Sequence, residues 1–366
     1  ELERSAPGRY RVRVVDPFAD GSPRAIGWTT GLYGPLTRHA RWGWGALYYA
    51  TNSRGAVRLL NASVLRAVER SIERHLRETQ PAAVVSFHPL LNHPMVTAIH
   101  RSESTAPTIT VITDLVDVHA AWASPEVDAV VVPSPGGLDR CRRAGVAASH
   151  CHYIGLPVDA RFTEPLPSAD QRRELRRRLG LNPDRFTVLV CGGADGSGGI
   201  SRRARALADA GIDVQIAVIT GRNRRAFAKL EQLTDRAGRP VVLNGFVDNM
   251  QDWLRAADVA ATKAGPGTIA EALCCGVPML LTSYLPGQER GNVEWVTAVG
   301  AGRYVPGVRQ LVDAVSELAE PESLQLQAMR DAVHRLATTD ATARIAALIT
   351  QLAQRPSPQS ADSRSA

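Results

Sequence analysis

Two glycine-rich stretches of the sequence combine residue types that can bind an anionic group. The first is CGGADGSGG (191–199), which separates an apolar run from a helical stretch. Glycines let backbone amides approach a phosphate closely, and a helix start adds roughly half a positive charge. The glycines match a dinucleotide fingerprint only loosely, and the alternative is a tight turn that needs positive φ angles. Five glycines within 192–199 favour phosphate binding, with Gly193 and Gly196 as the candidate contacts.

The second stretch, KAGPGTIAEALCCGVP (263–278), places a glycine-rich turn directly before a predicted helix. Thr268 lies where a helix cap or an early helical hydroxyl faces an anion, and we expect the free amides of Gly267, Thr268 and Ile269 to point the same way. Glu271 follows about one turn into the helix. Its carboxylate either stabilises the helix start by about 0.3–1 kcal/mol or accepts hydrogen bonds from two vicinal hydroxyls of a ribose.

A third group of polar residues follows the next apolar run, in LPGQERGN (285–292). Gln288, Glu289 and Asn292 stand between glycines and have side chains suited to binding sugar hydroxyls. An ordinary solvated loop has the same composition. Taken alone, this stretch favours the solvated loop.

The three stretches are positioned by apolar runs that alternate with helix-length segments. These short runs, rich in Val and Ile, predict βαβ units with a parallel sheet in each half of the chain. Ligands of such sheets bind at the carboxyl ends of the strands, where the three stretches lie. The predicted strands are 11–16, 82–87, 108–114 and 128–134 in the first half, and 185–193, 213–221, 239–246, 258–265 and 277–283 in the second.

Length and composition predict two soluble globular domains. The chain has 366 residues, of which 44% are hydrophobic and 22% are charged. A proline-rich segment at 156–170 is the predicted linker. We therefore predict a first domain at 1–160, a second at 161–352, and a tail at 353–366 whose composition is that of disorder.

The charge and the cysteines narrow the class of protein further. The five cysteines are odd in number and form no C-x-x-C pair, which argues against disulfides or zinc and for a reducing, cytoplasmic setting. The net charge of +7 suits a phosphorylated ligand or an anionic membrane. No nucleic-acid-binding motif occurs in the sequence, so we expect no nucleic acid partner.

The stretch KAGPGTIAEALCCGVPMLLTSYLPGQERGNVEWVTAVGAGRY (263–304) resembles the donor site of the monogalactosyldiacylglycerol synthases, in glycosyltransferase family 28. The resemblance continues in GFVDNMQDWLRAADV (245–259), SFHPLLNHP (86–94) and TDLVDVHAAW (113–122), and covers nearly the whole chain. It implies an α/β fold of the GT-B class: two facing Rossmann-like domains with parallel sheets and a cleft between them. The UDP-sugar donor would bind the second domain, and the acceptor would bind the first.

The resemblance also implies roles for individual residues. Gly265, Gly267 and Thr268 would bind the diphosphate of the donor, and Glu271 would bind its ribose. The remaining implied contacts are with the hydroxyls of the transferred hexose (Gln288 and Glu289), with uracil (Phe246 and Val247), and with sugar or phosphate (Asn292).

The sequence predicts a mechanism without a metal ion. No D-x-D motif stands at a strand end, so we expect no metal and no cofactor, with the UDP-sugar acting as a co-substrate. The helix dipole, the glycine amides and Lys263 or Arg222 would stabilise the departing UDP. Such a site fits a single inverting displacement in which a base takes the proton of the acceptor hydroxyl.

The catalytic base is the part of the mechanism that the sequence defines least. The family's usual base is a histidine in a glycine-rich loop after the first strand, and no such strand and loop are recognised from Glu1 onward. Either they lie upstream of Glu1, or this protein lacks the usual base. Within the sequence, Asp114 at the end of the predicted strand 108–114 is the candidate catalytic carboxylate, and the alternative is a turn cap. His119 and His88 are candidates on the acceptor side, although a lone histidine is more often structural.

Residues 27–53 concentrate aromatic and basic side chains in a chain that is only 5% aromatic. This mixture suits a membrane interface, where rings lie at headgroup depth and arginine meets anionic lipid. The alternative is a helical hairpin that packs its rings inside the first domain. The lipid acceptors of the family favour the membrane interface.

These observations predict a transferase that moves a hexose from a UDP-sugar to the hydroxyl of a diacylglycerol-type lipid. We expect it to be a cytoplasmic, peripheral protein at the inner face of the plasma membrane. One alternative transfers N-acetylglucosamine from its UDP derivative to a polyprenyl-linked peptidoglycan precursor. Another is a non-catalytic nucleotide-sugar-binding protein.

Overall fold

The computed structural model describes residues 1–21, 41–53, 55–57, 59 and 65–354. The chain divides into two compact units, each built on one parallel sheet. Two of the sequence-based predictions fall partly outside the described residues: the aromatic segment at 27–40 and the tail at 355–366.

The first unit comprises Glu1–Pro157, Pro286–Gln288 and the chain from Asp340 onward. Its sheet has four parallel strands in the order β1-β2-β3-β4. The strand β3 (AVVV) is buried along its whole length, as expected for a parallel sheet that is covered on both faces. The strands are Val84–Ser86 (β1), Thr108–Val111 (β2), Ala129–Val132 (β3) and Cys151–Tyr153 (β4). The helices up to the linker are Leu2–Ser5 (α1), Pro17–Gly21 (α2), Arg41–Thr51 (α3), Arg66–Thr79 (α4), Asn92–Arg101 (α5) and Pro135–Arg143 (α6).

The second unit comprises Val158–Leu285 and Glu289–Thr339. Its six strands are all parallel and lie in the order β10-β9-β8-β5-β6-β7. The strands are Thr187–Cys191 (β5), Gln215–Ile219 (β6), Val242–Asn244 (β7), Val259–Lys263 (β8), Met279–Ser283 (β9) and Gly302–Tyr304 (β10). The helices are Ala160–Thr163 (α7), Ala169–Arg178 (α8), Ile200–Asp209 (α9), Arg224–Ala228 (α10), Met250–Ala256 (α11), Pro266–Cys274 (α12), Arg290–Ala298 (α13), Val308–Leu318 (α14) and Leu324–Leu336 (α15).

The last described helix, Ala341–Ala353 (α16), belongs to the first unit. It packs Ile345 and Leu348 against Ile109 and Val131 of the first sheet. This corrects the predicted second domain at 161–352, because the apolar face of α16 covers one face of the first sheet and not the second.

The predicted strand at 11–16 is wrong, because these residues form neither strand nor helix. Val14 is 93% exposed, so no sheet covers this Val-rich run. Each of the other predicted runs contains a strand. The short strands β4 and β10 were not predicted, because CHY and GRY carry polar residues and lack an apolar pattern.

The strand order gives the second sheet a topological switch point. From β5 the chain continues to β6 and β7 on one side, and then crosses to β8, β9 and β10 on the other. Ligands of open parallel sheets bind outside the carboxyl ends of the strands at such a point. The loops that follow β5 and β8 therefore lie at the expected ligand position. No helix in the described ranges is both long and apolar enough to cross a bilayer.

Candidate functional site

The loop after β8 leads into α12, whose start has no side-chain cap. Gly265 is the N-cap and Pro266 is the first helical residue, where proline's missing amide costs no hydrogen bond. The amides of Gly267 and Thr268 follow in the first turn, where a helix offers them no carbonyl partner. The positive end of the helix dipole lies at the same place. This helix start is therefore suited to an anionic group.

Two amides of the predicted diphosphate site are already used within the protein. The Ile269 amide donates to the Gly265 carbonyl at 3.0 Å, and the Gly265 amide donates to the Lys263 carbonyl at 2.9 Å. The prediction of a free Ile269 amide is therefore wrong, because the helical ladder begins at that residue. Gly265 also cannot offer its amide to a phosphate in this structure. The contacts with Gly267 and Thr268 stay predictions.

Backbone conformation and close backbone contacts explain several glycines of the loop after β5. Gly193 and Gly196 have positive φ angles of 69° and 59°. The Gly196 amide donates to the Gly193 carbonyl at 3.0 Å, and a Cβ at Gly196 would lie 1.9 Å from the Thr220 carbonyl oxygen. The tight-turn alternative thus explains Gly196, and its amide is not offered to a phosphate. The loop still ends at Gly199, which begins α9 without a side-chain cap.

Glu271 lies on α12, half-buried. Burial raises the pKa of its carboxyl group to about 7. Desolvation disfavours the ionised carboxylate, and hydrogen bonds from two hydroxyl groups would favour it. This environment suits the predicted ribose contact, which stays a prediction.

Lys263, at the end of β8, forms an ion pair with Glu289. Its Nζ lies 2.5 Å from Oε1 of Glu289, whose other oxygen accepts the Leu285 amide at 2.8 Å. Glu289 is only 3% exposed. Asn292 is fully buried and donates to the Ala264 carbonyl at 2.9 Å, which supports the loop, whereas its Oδ1 atom has no hydrogen-bond partner among the described residues. The predicted ligand contact of Asn292 stays a prediction.

The loop after β7 presents an aromatic ring, as the uracil prediction requires. Phe246 is 56% exposed, and Val247 beside it is half-buried. The guanidinium of Arg222, from the loop after β6, lies 4.8 Å from the centre of the Phe246 ring. A ring with a cation on one face keeps its other face for stacking. The uracil contacts of both residues stay predictions.

In the first unit, Asp114 is buried and accepts two side-chain hydrogen bonds. Its Oδ2 lies 2.7 Å from the indole Nε1 of Trp122, and its Oδ1 lies 2.8 Å from Nε2 of Gln288. Gln288 was predicted to bind hexose hydroxyls, and in this structure it binds Asp114. The Oε1 atom of Gln288 is buried and has no hydrogen-bond partner among the described residues.

His119 and His88 each cap a short 3-10 turn. Nδ1 of His119 accepts the Ala121 amide at 3.1 Å, and Nδ1 of His88 accepts the Leu90 amide at 3.3 Å. Burial lowers the pKa of His119 to about 4, so its ring is neutral near pH 7. Because Nδ1 is an acceptor, the proton of the neutral ring lies on Nε2, 3.3 Å from Oγ1 of Thr51. These contacts favour the structural alternative for both histidines, and their acceptor-side role stays a prediction.

Sequence reasoning missed the residues that hold the loop after β2. Tyr48 donates its hydroxyl to the Asp117 carbonyl at 2.8 Å, and its ring lies 4.9 Å from that of His119. Asn52 accepts the Ala120 amide at 2.7 Å and a guanidinium hydrogen of Arg140 at 2.8 Å. These partners are far apart in the sequence, so no local pattern could have identified them.

Comparison with known proteins gives matches over most of the chain. The family model "Monogalactosyldiacylglycerol (MGDG) synthase" matches residues 2–158, and "Glycosyltransferase family 28 C-terminal domain" matches residues 187–345. Among solved structures, MurG of Acinetobacter baumannii has a TM-score of 0.59 at 17% identity, covering 78% of each chain. The UDP-GlcNAc 2-epimerase of Neisseria meningitidis, bound to UDP-GlcNAc, has a TM-score of 0.58 at 13% identity, covering 79% of this chain and 82% of its own. Such identities show the fold alone, and they confirm the GT-B class.

Two plant proteins illustrate the similarity in sequence. A probable monogalactosyldiacylglycerol synthase of Glycine max, named as chloroplastic, is 36% identical over 346 residues. The match covers 92% of this chain and 64% of the relative, so the chain spans just under two thirds of that protein's length. Monogalactosyldiacylglycerol synthase 2 of Arabidopsis thaliana, also named as chloroplastic, is 30% identical over 359 residues, covering 96% of this chain and 75% of the relative. The family models and these identities show that the chain belongs to the monogalactosyldiacylglycerol synthase family.

Proposed function

We propose that the protein transfers a hexose from a UDP-sugar to the hydroxyl of a diacylglycerol-type lipid. The proposal rests on the arrangement at the end of β8, which lies at the switch point of the second sheet. There the uncapped start of α12, the half-buried Glu271 and the cation Lys263 follow one another within a single strand–helix unit. The family's named relatives are monogalactosyldiacylglycerol synthases, which supports a lipid acceptor.

The proposed reaction is a single inverting displacement. The acceptor oxygen forms a bond to the anomeric carbon while the bond from that carbon to the β-phosphate oxygen breaks, and UDP leaves. The amides of Gly267 and Thr268 and the ammonium of Lys263 stabilise the charge that develops on the diphosphate. We assign this role to the protein's own groups and propose no metal ion or cofactor.

The proposed base or orienting carboxylate within the described residues is Asp114. Its two oxygens accept hydrogen bonds from Trp122 and Gln288, which fix the plane of the carboxylate. A carboxylate held in this way can accept the proton of an acceptor hydroxyl without rotating first. The assignment rests on the position of Asp114 after β2 and on these two hydrogen bonds.

The proposal also includes binding to a lipid surface through α3. The sequence from 42 to 53 contains no charged residue, yet the helix exposes Leu47 by 49% and Tyr49 by 63%. The outward face of a soluble helix usually carries charges. The exposed residues of this face are Gly43, Ala46, Leu47, Tyr49 and Ala50. Among the residues of α3 whose side chains are described, this face carries no charge and presents an amphipathic tyrosine. In a chain of net charge +7, such a face suits the headgroup region of an anionic bilayer.

The cellular compartment remains a proposal. The relatives are named as chloroplastic. All five cysteines of this chain are free thiols, which suits a reducing compartment. We propose a peripheral protein at the cytoplasmic face of the plasma membrane, and fractionation of cells that express the full chain tests this placement.

An assay of UDP release tests the proposed function. The full chain is incubated with UDP-galactose, UDP-glucose or UDP-N-acetylglucosamine, each with and without vesicles that contain diacylglycerol. We expect UDP release and a new glycolipid with one of the hexoses, only when diacylglycerol is present. Release that requires UDP-N-acetylglucosamine and a polyprenyl-linked precursor would instead support the peptidoglycan alternative. Tight UDP-sugar binding without transfer to any acceptor would support the non-catalytic alternative.

A further inference from the structure

The ion pair of Lys263 and Glu289 lies directly against the start of α12. A Cβ placed on Gly265, the N-cap residue, would lie 2.9 Å from Nζ of Lys263 and 3.8 Å from Oε1 of Glu289. The pairing of β8 with β9 shifts register between Thr262 and Lys263, and such irregularities re-aim the side chain at a strand end. Both charges are therefore adjacent to the helix start that the proposed function assigns to the diphosphate.

This arrangement places an anion next to the proposed site of another anion. Glu289 is 3% exposed and also accepts the Leu285 amide, so its carboxylate is held in place. Two negative charges a few ångström apart in a poorly solvated site repel each other strongly. Lys263 is less buried than its partner, with 29% of its side chain exposed against 4% for Glu289. Its ammonium has three donors, and Glu289 takes one of them.

We propose that Lys263 is a positioning residue that screens Glu289 from the diphosphate and so couples phosphate binding to hexose binding. The inference rests on the proposed function, since it assumes a UDP-sugar at the end of β8. Lys263 donates to the diphosphate and to Glu289 at once. Glu289 is thereby held next to the phosphate, where it accepts hydrogen bonds from the hexose. A side chain at Gly265 would displace the ammonium of Lys263 from this position.

If Lys263 screens Glu289 from the diphosphate, the UDP affinities of three variants of the pair should differ in a characteristic way. Calorimetric titration with UDP measures these affinities. Lys263→Met loses a cation and also exposes the diphosphate to Glu289, so UDP affinity should fall by about 10- to 100-fold. Glu289→Gln removes the repelling charge, so UDP affinity should be kept or increased. In the double variant, Lys263→Met with Glu289→Gln, UDP affinity should recover part of the loss seen in Lys263→Met.

A second titration with the UDP-hexose that serves as donor measures the coupling. The wild-type protein should bind the UDP-hexose more tightly than UDP, because the hexose adds contacts. In Glu289→Gln this difference in affinity should disappear. Thermal unfolding of each variant, carried out without ligand, reports the cost of breaking a buried ion pair separately from binding. Because the rescue is a gain of affinity in the double variant, a folding defect cannot produce it.

A double variant that binds UDP no better than Lys263→Met would overturn the screening role. Equal losses of thermal stability in both single variants, with unchanged UDP affinity, would make the pair a purely structural ion pair and would also overturn the inference. A wild-type protein that binds UDP and shows the variant pattern, but transfers to no lipid, would contradict the proposed function and support this inference. A wild-type protein that does not bind UDP would contradict both.

Discussion

The turns after β1 and β2 of the first sheet begin differently from the helices after β5 and β8 of the second sheet. In the first unit, the side chains of His88 and His119 cap the turns after β1 and β2. In the second unit, the helices after β5 and β8 begin at Gly199 and Gly265 without a side-chain cap. A helix start without a cap leaves backbone donors that water or a ligand must satisfy. The helix starts after β5 and β8 therefore offer donors that a ligand can satisfy, whereas the turns after β1 and β2 are capped by the protein's own side chains.

The same contrast holds for the acidic groups. Asp114 of the first unit accepts hydrogen bonds from Trp122 and Gln288, and its geometry is set before any substrate arrives. Glu271 of the second unit has a pKa raised to about 7 by burial, so its ionised form is not well stabilised in the ligand-free protein. This contrast supports the proposal that the second sheet binds the donor and the first sheet orients the acceptor.

The largest expected effect is a loss of hexose transfer without a loss of UDP binding. Asp114→Asn should reduce hexose transfer by about 100-fold or more, the usual range for loss of a general base. UDP affinity should not change, because the proposed contacts of UDP lie at Lys263, Gly267, Thr268 and Glu271. Steady-state transfer assays and calorimetry measure the two quantities. Asp139→Asn, on the exposed side of α6, is the matched control. An equal loss of UDP affinity and transfer in Asp114→Asn would contradict the comparison.

The next effect concerns the donor site alone. Glu271→Ala should weaken UDP binding by about 10- to 100-fold, because two ribose hydroxyls lose a charged acceptor. Glu317→Ala removes an exposed glutamate from α14 and should bind UDP as the wild type does. Unchanged UDP affinity in Glu271→Ala would contradict the ribose contact and favour the alternative, in which Glu271 only stabilises the start of the helix.

A smaller effect is the pH dependence of UDP binding. With a pKa of about 7, Glu271 is mostly neutral at lower pH and becomes the stronger acceptor as it ionises. UDP affinity should therefore increase from about pH 6 to about pH 8, and Glu271→Gln should remove this contribution. A wild-type profile identical to that of the glutamine variant would contradict the assignment.

The raised pKa of Glu271 should also make the ligand-free protein less stable as the pH rises, whereas UDP binding becomes stronger. Between the usual pKa of a glutamate and about 7, the folded protein keeps a proton that the unfolded chain releases. The contribution of Glu271 to the free energy of unfolding therefore decreases as the pH rises through this window, and stays low above it. Comparison of wild type and Glu271→Gln by chemical unfolding at several pH values isolates the contribution.

The smallest expected effect is on membrane binding by the first unit. Leu47→Ser or Tyr49→Ser should weaken binding to anionic vesicles by a few fold, because each removes one exposed apolar side chain from α3. Leu324→Ser is the matched control, since Leu324 is 79% exposed at the start of α15 in the second unit. Vesicle sedimentation measures the effect. Unchanged binding in both α3 variants would contradict the interface.

Much of the fold could be predicted, because buried parallel strands have a strong local pattern. Runs such as AVVV (129–132) are apolar throughout and are fully buried. The run RVRVVD (11–16) has similar β propensity, yet Val14 faces solvent. Local propensity does not say whether a neighbouring strand is present. The packing of α16 on the first sheet likewise depends on contacts between distant parts of the chain.

In the candidate site, too, the predicted residues are close together in the sequence, and the unpredicted contacts join residues that are far apart. Gly267, Thr268 and Glu271 lie within one strand–helix unit, so their arrangement follows from their spacing. The contact of Gln288 with Asp114 joins residues 174 positions apart, and no local pattern contains it. The ion pair of Lys263 and Glu289 joins the end of β8 to the loop after β9 and lies against Gly265, which spacing alone does not show.

Hydrogen–deuterium exchange of the full chain, with and without saturating UDP, tests the central claim most directly. We expect UDP to slow exchange of the amides at 264–271, where the start of α12 would gain a ligand, and in the loop at 192–199. The capped turns at 88–91 and 119–122 should exchange at the same rate in both samples. Unchanged exchange at 264–271, or protection confined to the first unit, would contradict the assignment of the donor site to the second sheet.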